Sequence, residues 1–425
     1  MRIRAVTQFI PLTWPIDKGS IASAARFLMD ARLRLSEAGF EVQSTCLATP
    51  PFLDVIGDPD PALLLRFAHL LEDLANRYQI DTVSIGPVIA TTPLSLLMSI
   101  RALPQVVTET EKIFSGVLFA DEYSGVNLAA AQALAQTVRQ VAQTTPGGLG
   151  NLRLGALANV PPNGPLAHTA YQQGSTALFA MAIEAADLAL TAINNTRSLK
   201  EAQESLVEAI ESNSTAILAI ADELVDDHQI RFKGVDFSLA PFAGQAGSIG
   251  TAIEKLGLDT FGGNGTLFAL TFLTHALQQI NMPRTGFSGV MLPILGDETL
   301  AQRAAEGHFT LNDLLLYSAV CSAGLDIIPI PGDTSADDIS AVFLDMATLA
   351  ISVKKPMSAR LMPIPGLKAG DEVSLDAAYL SSSRVLPVKK LSSPKLFEQN
   401  SFLRLGALPR KRKKIGWGAF AARKK

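Results

Sequence analysis

Short apolar runs alternate with segments of helical period along most of this chain, and Pro, Gly or Asp stands at almost every change. No other feature restricts the fold as much. Arg2–Phe9, Phe40–Leu47, Thr82–Ile85, Phe114–Phe119, Leu152–Ala158, Val235–Leu239, Val290–Leu295, Leu325–Ile330 and Ala359–Met362 read as strands. Between them, Ser20–Ala38, Ala62–Tyr78, Leu128–Ala142, Ser248–Leu256, Leu267–Ile280, Leu311–Ala323 and Ser335–Ala350 read as helices. A further helix is expected from just after Pro165 to Ile193. The pattern Ser198-Leu-Lys-Glu201 is a capping box that opens another, running to Asp226. Roughly nine or ten strands separated by helices predict an α/β fold on a parallel or mostly parallel sheet.

Composition supports this. Apolar residues make up 48% and charged ones 18%, while aromatics are only 6%. The apolar mass is therefore small and aliphatic, which suits helices packed closely on a buried sheet. No uninterrupted apolar run reaches the roughly 18 residues of a spanning helix. The nearest, Ala177–Ile193, is broken by Glu184 and Asp187, and the opening residues lack a signal-peptide core. Two distant cysteines, Cys46 and Cys321, exclude a disulfide framework and fit a reducing, cytoplasmic compartment. His69, His168, His228, His275 and His308 have no metal-ligand spacing.

Charge is uneven. From Lys389 onward stand 12 of the 36 basic residues and one of the 40 acidic ones, so the rest of the chain is about 15 charges negative. The expected organisation is a single domain over residues 1–380 and a flexible basic tail over 381–425. The runs Arg410–Lys414 and Arg423–Lys425 read either as an arm for an acidic partner, such as nucleic acid or anionic lipid, or as a solvated terminus.

In α/β proteins the loops at strand ends collect ligands. Here the expected working region runs from about Gly155 to Gly366. Asn159-Val-Pro-Pro-Asn-Gly-Pro165 is a stiff loop whose Asn159 and Asn163 amides either face a ligand or build turns. Glu184 and Asp187 would share a helix face at i and i+3. Asp236 and Ser238 share one side of their strand, where a buried carboxylate needs partners. Phe261-Gly-Gly-Asn-Gly-Thr266 reads as an anion cradle, through Gly263, Gly265 and Thr266, or as a tight turn. Asp326 opens an apolar strand, and Asp333 follows a Pro-Gly turn before a helix. Asp333 either caps that helix or joins Asp236 and Asp297 around a divalent cation, Ca or Mg. Cys321 reads as a packed thiol in the last turn of a helix, with no basic neighbour in sequence.

Several of these stretches resemble a known family. They are Asn-Val-Pro-Pro-Asn-Gly-Pro (159–165), Gly-Val-Asp-Phe-Ser-Leu-Ala-Pro (234–241), Gly-Phe-Ser-Gly-Val-Met-Leu-Pro (286–293) and the segment Tyr317–Asp333 with its Cys and Pro-Gly-Asp. Gly-Phe-Glu-Val-Gln (39–43) and Leu-Ala-Thr-Pro-Pro (47–51) fit as well. Together they resemble the domain-of-unknown-function 711, or UPF0210, family, up to about Tyr379. The resemblance implies a ten-stranded α/β barrel akin to pyruvate formate-lyase-like glycyl radical enzymes. It does not carry over their chemistry, because no C-terminal glycyl radical motif is present.

The resulting expectation is an enzyme acting on a small polar metabolite. Asp236, Asp326, Asp333 and Glu184 would act as acids, bases or metal ligands, with Asn159, Asn163, Ser238, Gly263, Gly265 and Thr266 orienting the ligand. The other reading is a non-catalytic small-ligand sensor or assembly subunit. A homo-oligomer, a dimer, is the expected assembly.

Overall fold

A computed structural model describes residues 1–90, 97–391 and 402–404. Its strands are β1 (Arg2–Phe9), β2 (Thr45–Ala48), β3 (Thr82–Ile89), β4 (Ile113–Asp121), β5 (Gly125–Asn127), β6 (Leu154–Ala158), β7 (Leu178–Glu184), β8 (Arg231–Asp236), β9 (Gly324–Pro331), β10 (Met357–Ile364), β11 (Glu372–Val373), β12 (Ser383–Arg384) and β13 (Phe402–Leu403). Its helices are α1 (Lys18–Glu37), α2 (Phe52–Ile56), α3 (Pro61–Arg77), α4 (Leu97–Glu109), α5 (Leu128–Thr144), α6 (Ala186–Asn194), α7 (Leu199–His228), α8 (Ile249–Glu254), α9 (Thr266–Gln278), α10 (Glu298–Glu306), α11 (Leu311–Ser318) and α12 (Ala336–Val353).

Nine strands follow one path, β8-β7-β1-β2-β3-β4-β6-β10-β9. The five from β1 to β6 along it are parallel neighbours. The pairs β7–β8 and β9–β10 are each parallel within themselves and join the two sides of that block antiparallel. This is the expected mostly parallel α/β sheet. The two ends of the path, β8 and β9, share no ladder. Between them the segment 284–293 makes single parallel bridges, Arg284 to Val235, Val290 to Leu239 and Pro293 to Asp326. Val290–Leu295 therefore does not form the ladder strand expected, because Pro293 removes a donor and a 3₁₀ turn begins at Ile294.

The two faces of the sheet differ in chemistry. On one, Val6, Leu47, Val83, Val117 and Leu154 share an apolar core with Phe27, Phe67, Leu134 and Phe343 of the helices. On the other lie Thr7, Cys46, Ala48, Ser84, Gly116, Gly155 and Ser358. Small and hydroxyl side chains are needed there because the irregular segment from Val160 to Gln173 is buried against them. Thr7 Oγ1 donates to the Pro165 carbonyl at 2.7 Å and Ser84 Oγ to that of Ala170 at 2.6 Å. Gln172 N–H donates to the Thr49 carbonyl at 2.9 Å. A Cβ on Gly155 would lie 2.6 Å from the His168 carbonyl oxygen.

This buried segment corrects the expected helix from Pro165 to Ile193. Residues 166–177 are non-helical, Leu178–Glu184 is the strand β7 paired to β1, and only Ala186–Asn194 is helix. A continuous apolar run such as Leu-Phe-Ala-Met-Ala-Ile reads equally as strand or helix by periodicity. Glu184 and Asp187 consequently do not share a helix face. α4 went unforeseen because Pro104 lies inside it. α11 stops at Ser318, short of the expected Ala323.

The capping expectations hold in a modified form. Ser198 accepts from Glu201 N–H, while the Glu201 carboxylate reaches back to Arg197 N–H, one residue earlier than in a standard box. Beyond the boundary expected at residue 380, Val385 and Leu386 are buried, and Leu386 N–H donates to Pro329. The basic runs Arg410–Lys414 and Arg423–Lys425 lie outside the described residues. Gly155→Ala is expected to lower stability by about 1–3 kcal/mol by overpacking the inner face, read from the urea midpoint. An unchanged midpoint would show that the buried segment can shift freely.

Candidate functional site

The three motifs 234–241, 286–293 and 317–333 meet in space, and a buried carboxylate joins the first two. Asp236, at the end of β8, accepts from Ser238 N–H at 3.0 Å and from Ser238 Oγ. It also accepts from Phe287 N–H at 2.8 Å and Ser288 N–H at 3.0 Å. Burial pushes its carboxyl pKa up, and these donors oppose that shift. A Cβ on Gly286 would lie 2.1 Å from Asp236 Oδ2, so only glycine lets the loop approach this closely. The third motif joins through Gly289, where a Cβ would lie 2.6 Å from that of Ser322, and through Ser322 N–H, which donates to Val290.

The loop 284–289 is one wall of a cleft of ≈ 540 Å³. The other walls are Thr271, Thr274, His275 and Gln278 of α9, the turn Ala319–Ser322, and Lys355-Pro356. Arg284 and Lys355 bring two cations, and among the described residues no Asp or Glu lines the cleft. The Arg284 guanidinium uses Nη2 on the Ile280 carbonyl at 2.9 Å and is otherwise exposed. Lys355 Nζ donates to the Ser318 carbonyl at 2.9 Å, and burial pushes its pKa down. Cys321 is buried in the turn after α11 rather than within a helix. Its basic neighbour is Lys355, 34 positions along the chain, so local sequence could not show it.

The other expected site residues lie apart from this cleft. Asp326 is buried in an ion pair, with Arg360 Nε 2.6 Å from its Oδ1. A bulge makes the pair: Asp326 and Ile327 of β9 stand opposite the single residue Arg360 of β10, with Ile327 at φ 48°. Burial pushes the Asp326 carboxyl up, but the charge and hydrogen bond of Arg360 outweigh it and hold it below the usual range. His168 lies beside them, 3.3 Å from Ser358 Oγ, and burial followed by the Arg360 charge drives its pKa well below 6.5. Arg360 was missed in the sequence. Its signal was a lone arginine inside the apolar run Met357–Ile364.

Glu184 is buried at the end of β7, and burial pushes its carboxyl up. Asp297 serves two helices, accepting from Leu300 N–H of α10 and from Ile249 N–H of α8. Asp333 is exposed, and Ser335 caps α12 in its place. Asp236, Asp297 and Asp333 therefore do not converge, and among the described residues no three His, Cys, Asp or Glu side chains are grouped to hold a metal. Asn159 donates to the Ala350 carbonyl at the end of α12, and Asn163 accepts from Gln173 N–H, both with positive φ. Both side chains thus tie separate segments of the chain together. In the loop of Gly263 and Gly265, the Thr266 hydroxyl accepts from Gly262 N–H and donates to the Gly263 carbonyl, and none of these residues lines the cleft.

A second cleft, of ≈ 720 Å³, lies at the carboxyl ends of β2, β3 and β4, with Asp54, Asp121 and Tyr171–Gly174 on its walls. Asp121 is already engaged there by Tyr123 and Ser124 N–H. The first cleft is the stronger candidate because the second and third motifs line it, Asp236 of the first braces its wall, and it carries cationic donors without a carboxylate partner.

The buried pair makes a test of the electrostatics. Arg360→Met is expected to destabilise the protein by about 3–5 kcal/mol, since it leaves Asp326 charged and unpartnered. In the parent, the stability due to Asp326 is full above the ordinary aspartate range and is lost as pH falls through its lowered pKa. In the variant the sign reverses, because an unpaired buried carboxyl has a raised pKa and gains by protonation. Urea unfolding from about pH 7 down to about pH 2 reads both slopes. Parallel slopes would remove the ion pair from this account.

The comparisons agree with the resemblance. The family model described as "Uncharacterised ACR (DUF711)" matches residues 1–376. A UPF0210 protein of Pyrobaculum aerophilum is 30% identical over 362 residues, covering 81% of this chain and 78% of its own. One from Leuconostoc mesenteroides is 28% identical over 372 residues, covering 84% and 81%. One from Methanocaldococcus jannaschii is 26% identical over 404 residues, covering 89% and 87%. With most of its length matched by that model, the chain belongs to the DUF711, or UPF0210, family.

Proposed function

We propose that this protein binds a small metabolite carrying a carboxylate or phosphate in the cleft between α9 and the loop 284–289. One observation carries the reading: the cleft is lined by Arg284, Lys355 and several hydroxyls, with no acidic side chain among the described residues that line it. A guanidinium with free donors grips a planar anion in a bidentate way. Asp236 fixes the wall that bears Arg284 without facing the ligand. The expected acid/base set of Asp236, Asp326, Asp333 and Glu184 is replaced by this cationic pair.

The reading extends to the fold. The bridges of 284–293 to β8 on one side and β9 on the other support a tenth strand position that closes the sheet into a ring. The anion would then bind where the ring is least regular, between the bridges at Arg284 and Val290. The non-catalytic alternative, a sensor, uses the same cleft and differs only in lacking turnover.

Isothermal titration with pyruvate, oxaloacetate, inorganic phosphate and the cation ethylammonium separates the outcomes. At least one anion is expected to bind, and ethylammonium is not. Arg284→Met should weaken the anion by about tenfold or more, since a hydrogen bond to a charged group contributes about 1.5–3 kcal/mol. Its unfolding midpoint should stay unchanged. Binding of no anion, or equal binding by the variant, would refute the reading.

A further inference from the structure

We propose that Lys355 is a nucleophilic amine that forms an imine with the carbonyl carbon of a 2-oxo acid held in this cleft. The proposal rests on the anion-binding reading above and names the substrate class. It starts from two adjacent lysines with opposite fates. Lys354 ends α12 in the left-handed conformation, at φ 55°, and its Nζ lies 3.3 Å from Glu122 Oε2 at the exposed surface. That reversal turns Lys355 inward, onto the cleft wall beside Cys321. Its N–H is fixed to the Ala350 carbonyl at 3.0 Å, and Pro356 follows it and also lines the cleft.

The surroundings of Nζ let it serve as a reacting amine as well as a cation of the cleft. It has one backbone carbonyl as partner, and among the described residues no carboxylate pairs with it. A lysine withdrawn from water without a counter-ion favours the neutral form, which is the nucleophile. Arg284 in the same cleft can take a carboxylate, so a ligand that uses both residues carries a carboxylate and an electrophilic carbonyl. The simplest class with both is a 2-oxo acid.

The step balances without any other reactant. The Lys355 nitrogen adds to C2, a C–N bond forms, and the carbonyl oxygen becomes the hydroxyl of a carbinolamine. One amine proton makes that hydroxyl, the second leaves with it as water while the C–O bond breaks, and the imine nitrogen takes one proton from solvent. Nothing is oxidised or reduced.

Sodium borohydride reduces such an imine to a stable secondary amine. The full-length protein is incubated with pyruvate and borohydride, and the labelled lysines are located by peptide mass spectrometry. Labelling at Lys355 is expected to exceed that at Lys354 by about tenfold or more, because the cleft holds the reacting carbonyl against Lys355 and Lys354 lies outside it. Lys354→Met should keep the adduct, and Lys355→Arg should lose it with an unchanged unfolding midpoint. The labelling of the unmodified protein decides the matter even where Lys355→Arg does not fold. Lactate, which has the carboxylate but no carbonyl, separates the two readings by titration. Lactate binding together with unselective or absent pyruvate labelling overturns the imine and leaves anion binding standing. Binding of neither, with no adduct, overturns both.

Discussion

Irregular backbone buried against a sheet must find a partner for almost every peptide N–H and C=O it brings with it. The segment from Val160 to Gln173 sets this condition for the molecule. Thr7, Thr49 and Ser84 supply partners from three neighbouring strands, and Tyr171 turns its hydroxyl back onto the Val160 carbonyl. The same contacts explain why Thr7, Ala48, Ser84 and Gly155 stand where this segment packs, while the opposite face sets its Val, Ile and Leu into the apolar core. A larger side chain at Gly116 or Gly155 would strike a carbonyl oxygen 2.6 Å away.

The buried acids follow the same logic. Asp236 and Asp297 are acceptors for backbone N–H groups, one holding a loop and the other two helix starts. A carboxylate that accepts several such bonds is compensated for its burial, where an unpaired one would be costly. Asp326 is instead balanced by a full charge, and it needs a β-bulge to bring Arg360 opposite. Bulges recur elsewhere in this sheet: Arg4 is the extra residue against β7, and it turns to Met291. Charged side chains thus enter the inner layer where the strand register breaks.

These roles engage Asp236, Asp297 and Asp326 with the protein's own groups. Side chains saturated by backbone donors have little capacity left for a ligand, whereas Arg284 keeps most of its donors free and Lys355 has one partner. The cleft takes its shape from that division: anionic groups build the walls from behind, and cationic ones face the space in front. Asp236 illustrates both halves, since it orders Phe287 and Ser288 while remaining outside the cleft lining.

Much of this was legible from local rules. Strand and helix periods fixed the α/β class, the caps at Ser198, Ser248 and Ser335 were visible as residue types, and Asp236 was legible as a carboxylate in an apolar stretch that would need partners. Interactions within a few residues are written in consecutive letters, so they can be read there. β7 could not be, because an apolar run carries no mark of what it pairs with. The ion pair Asp326–Arg360, the junction of Asp236 with residues 286–288, and the meeting of Cys321 with Lys355 each join positions tens of residues apart. Such contacts depend on which strands become neighbours and where their register slips. The sequence by itself determined the layers and the kinds of residue at the strand ends. Tertiary structure alone decided which carboxylates were consumed as backbone acceptors and which cations were left facing the cleft.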